Sequence, residues 1–240
     1  LHMKNHMRWI CFSFLLSIGM LFVVYLGSSA ITVINEQAPI NRTHTIIIDA
    51  GHGGEDGGAS SPNGIPESKY NLSIAQKLET LLHLLGQNTE MIRSSDISVY
   101  TTGSTLAEKK RSDLKERVRI VNDTANGVLL SIHQNNYPDE QYHGAQVFYA
   151  DTTGSKELAD TIQSYFVNTI NSGSRRKIKK SSGIYLMEHI QRPGVLIECG
   201  FLSNQREEEL LRSINYQKKI ACVIAVSVKS YLEGNEFPNT

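Results

Sequence analysis

Cysteine is scarce in this chain and shows no pattern: there are three in 240 residues, and Cys11 lies inside an apolar run. Nothing in the spacing of Cys199 and Cys222 asks for a bond, so a disulfide framework is excluded and both read as free thiols. A surplus of positive charge is also missing. Basic and acidic residues number 24 each, whereas nucleic-acid-binding domains carry a basic excess, so no nucleic-acid partner is expected. No internal repeat occurs, and no shift of composition marks a second folded domain. The glycines clustered from Gly51 to Gly58 lack both phosphate-binding fingerprints. Asp56 stands where G-x-G-x-x-G needs its last glycine, and no Lys-Ser or Lys-Thr follows to complete a Walker loop.

Charge disappears altogether between Trp9 and Asn35, and Ile10 to Leu26 is almost continuously apolar. A bilayer-spanning helix needs roughly 20 apolar residues, while the core of a cleaved secretory signal has about 7–15. Length favours a retained signal-anchor, but Ser28-Ser29-Ala30 offers the small residues of a cleavage site. Residues 1–30 are therefore expected to be one or the other. Lys4 and Arg8 precede the run and stay cytoplasmic by the positive-inside tendency, which leaves the rest of the chain outside, membrane-anchored or secreted. Without those two cations the remainder holds 22 basic against 24 acidic residues, net −2. Residues 31–43 read as a polar linker containing Pro39, and 235–240 as a short tail. Residues 44–234 are left for a single domain with a substantial core.

From Thr45 onward strands and helices alternate. Thr45–Asp49 is a β-branched run of the kind buried on both faces of a sheet, and a glycine-rich loop follows to Gly64. Glu67 opens a helix in which Leu72, Ala75, Leu78, Leu82 and Leu85 recur at helical spacing, ending at Gly86. Thr89–Arg93, Gly127–His133, Ala145–Ala150 and Gly194–Glu198 are further strands. Ser112 or Asp113 is expected to cap a helix reaching about Asn122, with Leu114, Val118 and Val121 inward. Other helices are expected over 155–170, 205–213 and 215–232. The alternation predicts an α/β fold: one domain with a mostly parallel sheet of about five or six strands, covered by helices on both faces. In such sheets function gathers past the C-terminal ends of the strands.

That rule brings scattered residues together. His52 follows the first strand, His133 and Glu198 end two others, and Glu67 starts the helix that returns from the glycine loop. Two imidazoles and one carboxylate, His52, Glu67 and His133, suit Zn2+ and leave a fourth position for water, whose pKa the ion lowers to about 7. Glu198, in an apolar strand that raises a carboxyl pKa, suits the acid–base role. Glu55 and Asp56 are rival carboxylates. They rank below Glu67 because they sit in the tight glycine turn, where Asp56 is expected to bond its own loop backbone. Asn135 is a candidate substrate contact or simply closes its loop.

The local sequences are more specific than the residue types. Asp49-Ala-Gly-His52-Gly-Gly-Glu-Asp-Gly-Gly-Ala59 is followed by Glu67 with Asn71-Leu72 behind it. Then come Ser131-Ile-His133-Gln-Asn135 and Leu196-Ile-Glu198-Cys-Gly-Phe-Leu-Ser-Asn204. Together, from about Thr45 to Tyr231, these closely resemble the zinc-dependent N-acetylmuramoyl-L-alanine amidases of the type-3 amidase family. The resemblance implies hydrolysis of the amide between N-acetylmuramic acid and L-alanine in peptidoglycan. It also implies zinc on His52, Glu67 and His133, with Glu198 catalytic. The short form with an N-terminal apolar segment, and Ser182–Met187 ahead of Arg192-Pro193-Gly194, resembles the germination-specific members of spore-formers. Those act on spore cortex so that a partner deacetylase can make muramic-δ-lactam, which implies the forespore intermembrane space.

Autolysins and cell-separation amidases share the core motifs and stay open as alternatives, as does another zinc peptidoglycan peptidase. A non-catalytic wall-binding protein fits less well, since binding alone needs no Glu198. Gln134 stands where many relatives carry a small or apolar residue, which is expected to alter the cleft wall. No autoinhibitory helix is expected between His133 and Glu198, so control by timing, location or a regulatory protein partner is anticipated. Several residues have bland readings. Cys199 reads as packing rather than nucleophile, Arg93 and Arg117 as internal ion-pair partners, and His143 as a loop residue. The run Arg175–Lys180 reads as a solvated basic loop.

Overall fold

The computed structural model describes residues 44–234. The expected N-terminal anchor or signal, the linker and the C-terminal tail lie outside the described residues. Six strands form one sheet: β1 (Thr45–Ala50), β2 (Asn88–Met91), β3 (Gly127–Asn135), β4 (Gln146–Tyr149), β5 (Lys179–Lys180) and β6 (Gly194–Phe201). Among the described residues six helices accompany them: α1 (Glu67–Leu84), α2 (Leu106–Asp123), α3 (Ser155–Asn168), α4 (Tyr185–His189), α5 (Gln205–Arg212) and α6 (Ile214–Leu232). The order across the sheet is β2-β1-β3-β6-β4-β5. Among the described residues no helix is long and apolar enough to cross a membrane.

The expected single α/β domain is present, but the sheet is mixed. β1, β2, β3 and β6 run parallel, whereas β4 pairs antiparallel with β6 and carries β5 with it. Alternation of apolar residues has no direction, so the sequence pattern of β4 was silent on this point. The reversal puts the start of β4, not its end, at the edge where β3 and β6 finish. The loops 51–66, 136–145 and 169–178 therefore gather at that edge.

Side chains of successive strand residues point to opposite faces. Ile46, Ile48, Leu130, Ile132, Val195 and Ile197 face α1, α3 and α6, whose Leu78, Leu82, Ile162, Phe166, Ile220 and Ile224 complete a large buried cluster. The opposite face carries Ile47, Leu129 and Leu196 under Val121 of α2 and Leu186, Met187 and Ile190 around α4, a smaller cluster. Along that second face, towards the site edge, apolar residues give way to Asp49, Ser131, His133 and Glu198.

Several boundaries differ from expectation. α2 starts at Leu106, not near Ser112, because Thr105 and Glu108 form a capping box. Ser112 instead accepts hydrogen bonds from the backbone N–H groups of Thr101 and Thr102. Strands β3 and β6 also run two and three residues past His133 and Glu198, so these two stand side by side within the sheet.

Candidate metal centre

The chain leaves β1 through Gly51, whose carbonyl accepts hydrogen bonds from Asn71 and Arg93. A Cβ at Gly51 would lie 2.2 Å from His133 Nε2, so only glycine lets the backbone pass the imidazole. His52 then takes a left-handed backbone, φ +62°, which residues with a Cβ seldom adopt. Its carbonyl is gripped by Arg117 Nη2 at 2.8 Å. Its Nδ1 lies 2.9 Å from Asp56 Oδ2. A carboxylate there can only accept, so Nδ1 carries a hydrogen, and Nε2 is the nitrogen left to turn inward, where loss of its proton would offer a lone pair to a metal.

Glu67, the first residue of α1 and 4% exposed, stands between the two imidazoles. Oε2 is 3.3 Å from His52 Nε2, and Oε1 is 2.9 Å from His133 Nδ1. Asn71 and the N–H groups of Ala59 and Gln134 also donate to this carboxylate. Burial opposes its ionisation, but the bonds to His133 and His52 outweigh burial and hold the group well below the usual carboxylate range. At His52 burial opposes protonation, and the bonds to Asp56 and Glu67 prevail, raising the imidazole to about 9. Asp56 is pushed down, chiefly by its bond from His52. A set that draws positive charge so strongly to its centre suits a divalent cation. The ligating atoms of His52, Glu67 and His133 all lie within 4.8 Å of one another.

Glu198 pairs with His133 across β3 and β6 on the same face. Its Oε2 is enclosed and has no hydrogen-bond partner among the described residues. Burial, the main cause, and the neighbouring Glu67 charge push its pKa up to about 7, while the two histidines pull the other way. It is thus a carboxyl poised to gain or lose a proton at neutral pH.

Behind these residues lies a polar network that the sequence only hinted at. Arg117 pairs with Asp49 and Asp113, and Asp49 accepts a hydrogen bond from Ser131 at 2.7 Å. Burial works against the Asp49 charge, but Arg117, His133 and Ser131 together outweigh it and lower its pKa. Among the described residues Arg93 bonds only to carbonyls, of Ala50, Gly51, Ser68 and Ser95. It is therefore a clamp on the loop and not the expected ion-pair partner. Asp56 bonds its own loop through the Gly58 N–H, as expected, and also orients His52. Glu55 faces outward to Lys109.

Gln134 does not line the cleft: it is buried on the far face, where it bonds Asn71 of α1. Cys199 lies on that face too, and burial drives its thiol far from ionisation. Asn135 is half-buried, and its carbonyl accepts from the Leu202 N–H. The His143 carbonyl accepts from Arg176.

A carboxylate between two imidazoles, with a second carboxyl of neutral pKa beside them at the sheet edge, is the set that metal-assisted hydrolysis requires. The N-acetylmuramoyl-L-alanine amidase family Amidase_3 matches residues 46–230, and the chain belongs to that family. It is accordingly a peptidoglycan amidase. It is 36% identical over 188 residues to the germination-specific N-acetylmuramoyl-L-alanine amidase of Bacillus subtilis (strain 168), covering 78% of each chain. With the amidase LytC of the same organism it shares 32% over 191 residues, 78% of this chain but 35% of that one. The solved structure of the CwlD amidase from Clostridioides difficile, in complex with the GerS lipoprotein, superposes with TM-score 0.77 at 38% identity. That match covers 80% of this chain and 100% of the other.

Proposed function

We propose that the chain is a zinc-dependent N-acetylmuramoyl-L-alanine amidase that acts on spore cortex, with zinc held by His52, Glu67 and His133. The observation that carries this reading is Glu67, with its two oxygens turned to two inward imidazole nitrogens and the unpartnered Oε2 of Glu198 alongside. Zinc, when bound, supplies Lewis acidity that makes water nucleophilic at neutral pH and polarises the amide carbonyl. The protein does the rest. Asp56 fixes the tautomer of His52, and Arg117 and Arg93 hold the loop that carries it. Glu198 takes a proton from the attacking water and delivers it to the departing alanine nitrogen. Asn135, past His133 on β3, hydrogen-bonds the substrate in this reading.

The cortex role rests on the likeness to the germination-specific relative, where removal of stem peptides would precede muramic-δ-lactam formation. Such a substrate lies outside the cytoplasm, in the forespore intermembrane space, which fits an N-terminal anchor or signal. The complex of the Clostridioides difficile relative with a lipoprotein supports a regulatory protein partner for this chain as well.

The test is mass spectrometry of muropeptides after digestion, with and without a chelator. We expect intact stem peptides with a free L-alanine amine, whole glycan strands, and no products once the metal is removed. Cleavage inside the peptide, or undiminished turnover in chelator, would sink the reading. Spores lacking the gene should have cortex without muramic-δ-lactam; a normal cortex would assign the enzyme to the vegetative wall.

A further inference from the structure

The basic run Arg175–Lys180 is not uniform. Arg175, Lys177, Lys179 and Lys180 are exposed, and Lys180 pairs with Asp151. Arg176 turns inward instead. Its guanidinium lies 4.6 Å from the centroid of the Phe201 ring and 5.9 Å from that of Tyr142, which fixes the plane of the fork. Nε donates to the His143 carbonyl at 2.7 Å, and Nη1 donates to Gln146 Oε1 at 2.8 Å. Gln146 is itself immobilised, because it is 3% exposed and its Nε2 donates to the Lys177 carbonyl.

Gln146 stands directly opposite Glu198 in the β4–β6 register. Directly opposed side chains share a face with Cβ atoms about 5 Å apart. The guanidinium is therefore one side chain removed from the carboxyl beside the metal centre. Nη2, the outer nitrogen of the fork, donates to no group among the described residues, and Arg176 has no ion pair there. The oxygens of its acidic neighbour Glu207 are occupied by the N–H groups of Gly144 and Phe201. A cation stacked, oriented and left without an acid is built to receive one.

We propose that Arg176 is a specificity-determining residue whose free Nη2 edge binds a carboxylate of the stem peptide near the scissile amide. This rests on the amidase reading above. It predicts discrimination between stem peptides whose acidic residue next to alanine carries a free α-carboxylate and those that carry the carboxamide there.

The experiment compares kcat and KM of the zinc-loaded full chain on the two matched muropeptides. Wild type should prefer the carboxylate by about 10- to 100-fold in kcat/KM, expressed in KM, as a charge-assisted hydrogen bond allows. Arg176→Gln should erase that preference by raising KM for the carboxylate substrate alone, with kcat and the carboxamide reaction kept. Arg176→Lys, which retains the charge but not the fork, should fall between them and carries the test if the glutamine variant melts early. Equal handling of both substrates by wild type, an equal loss on both in Arg176→Gln, or undiminished preference in Arg176→Lys would each overturn the proposal. A folded, zinc-loaded wild type that cleaves neither substrate would instead bring down the amidase reading, and this proposal with it.

Discussion

The two faces of the sheet carry different kinds of order. The face under α1, α3 and α6 is apolar along most of its length, with Gln134 and Asn71 paired at the site end, and its buried side chains repeat at strand and helix periods. The face under α2 and α4 is apolar only at one end. Towards the other it holds Asp49, Ser131, His133 and Glu198, with Arg117 reaching in from α2. Burying ionisable groups is unfavourable unless they are paired or hydrogen-bonded. The second face meets that demand at Asp49 and Arg117, which pair with each other, but not at Glu198 Oε2. One face provides stability, and the other holds a group that is costly to bury beside the candidate metal centre.

Substitutions that separate the faces test this contrast. The largest effect should come from Glu198→Gln, with kcat lowered by about 10²–10⁴-fold at unchanged zinc content, measured by turnover and metal analysis. Turnover within a few-fold of wild type would remove Glu198 from the chemistry. Arg117→Met should follow. Leaving Asp49 charged and buried costs about 3–5 kcal/mol in denaturant unfolding, and release of the His52 carbonyl should lower activity as well. Leu78→Ala, on the other face, should cost about 2–5 kcal/mol of stability while kcat stays near wild type. A comparable loss of kcat there would show that the faces are not separable.

The smallest effect is in pH dependence. The pKa of Glu198 is about 7 in the folded protein against an ordinary 4.5. Its protonated form supports the fold fully below pH 4.5, and that support is lost as pH rises through about 7. Metal-free wild type should therefore weaken over this window relative to Glu198→Gln, by about 3 kcal/mol at most. Thermal melts of the two proteins across pH 4–8 measure it, and a constant difference between them would contradict the assignment.

How far the sequence could be read follows the same division. The apolar runs predicted β1 to β4, β6, α1 and the late helices, because periodicity reports burial directly, whereas the polar β5 and the short α4 gave no such signal. His52, Glu67, His133 and Glu198 were legible because each stands in a distinctive local sequence near a strand or helix boundary. What stayed hidden depended on contacts between distant segments. Asp49 and Arg117 are 68 positions apart, and neither carries a local mark of its partner. The start of α2 was available in Thr105-Leu-Ala-Glu108 but was outweighed by the polar pair Ser112-Asp113. Arg176 was concealed inside a basic run whose average character is that of a solvated loop.

The reversed direction of β4 has a practical consequence. Because Tyr149 pairs with Val195, the turn at Asp151–Gly154 sits at the foot of the sheet, a strand's length from His52 and Glu198. A fluorophore, affinity handle or inserted module placed there would report on the enzyme or tether it without standing in the path of a glycan strand. The loop before β4, at the opposite end, offers no such freedom. Lengthening it would remodel the mouth through which a wall polymer must enter, which makes it the natural place to retune what the enzyme accepts.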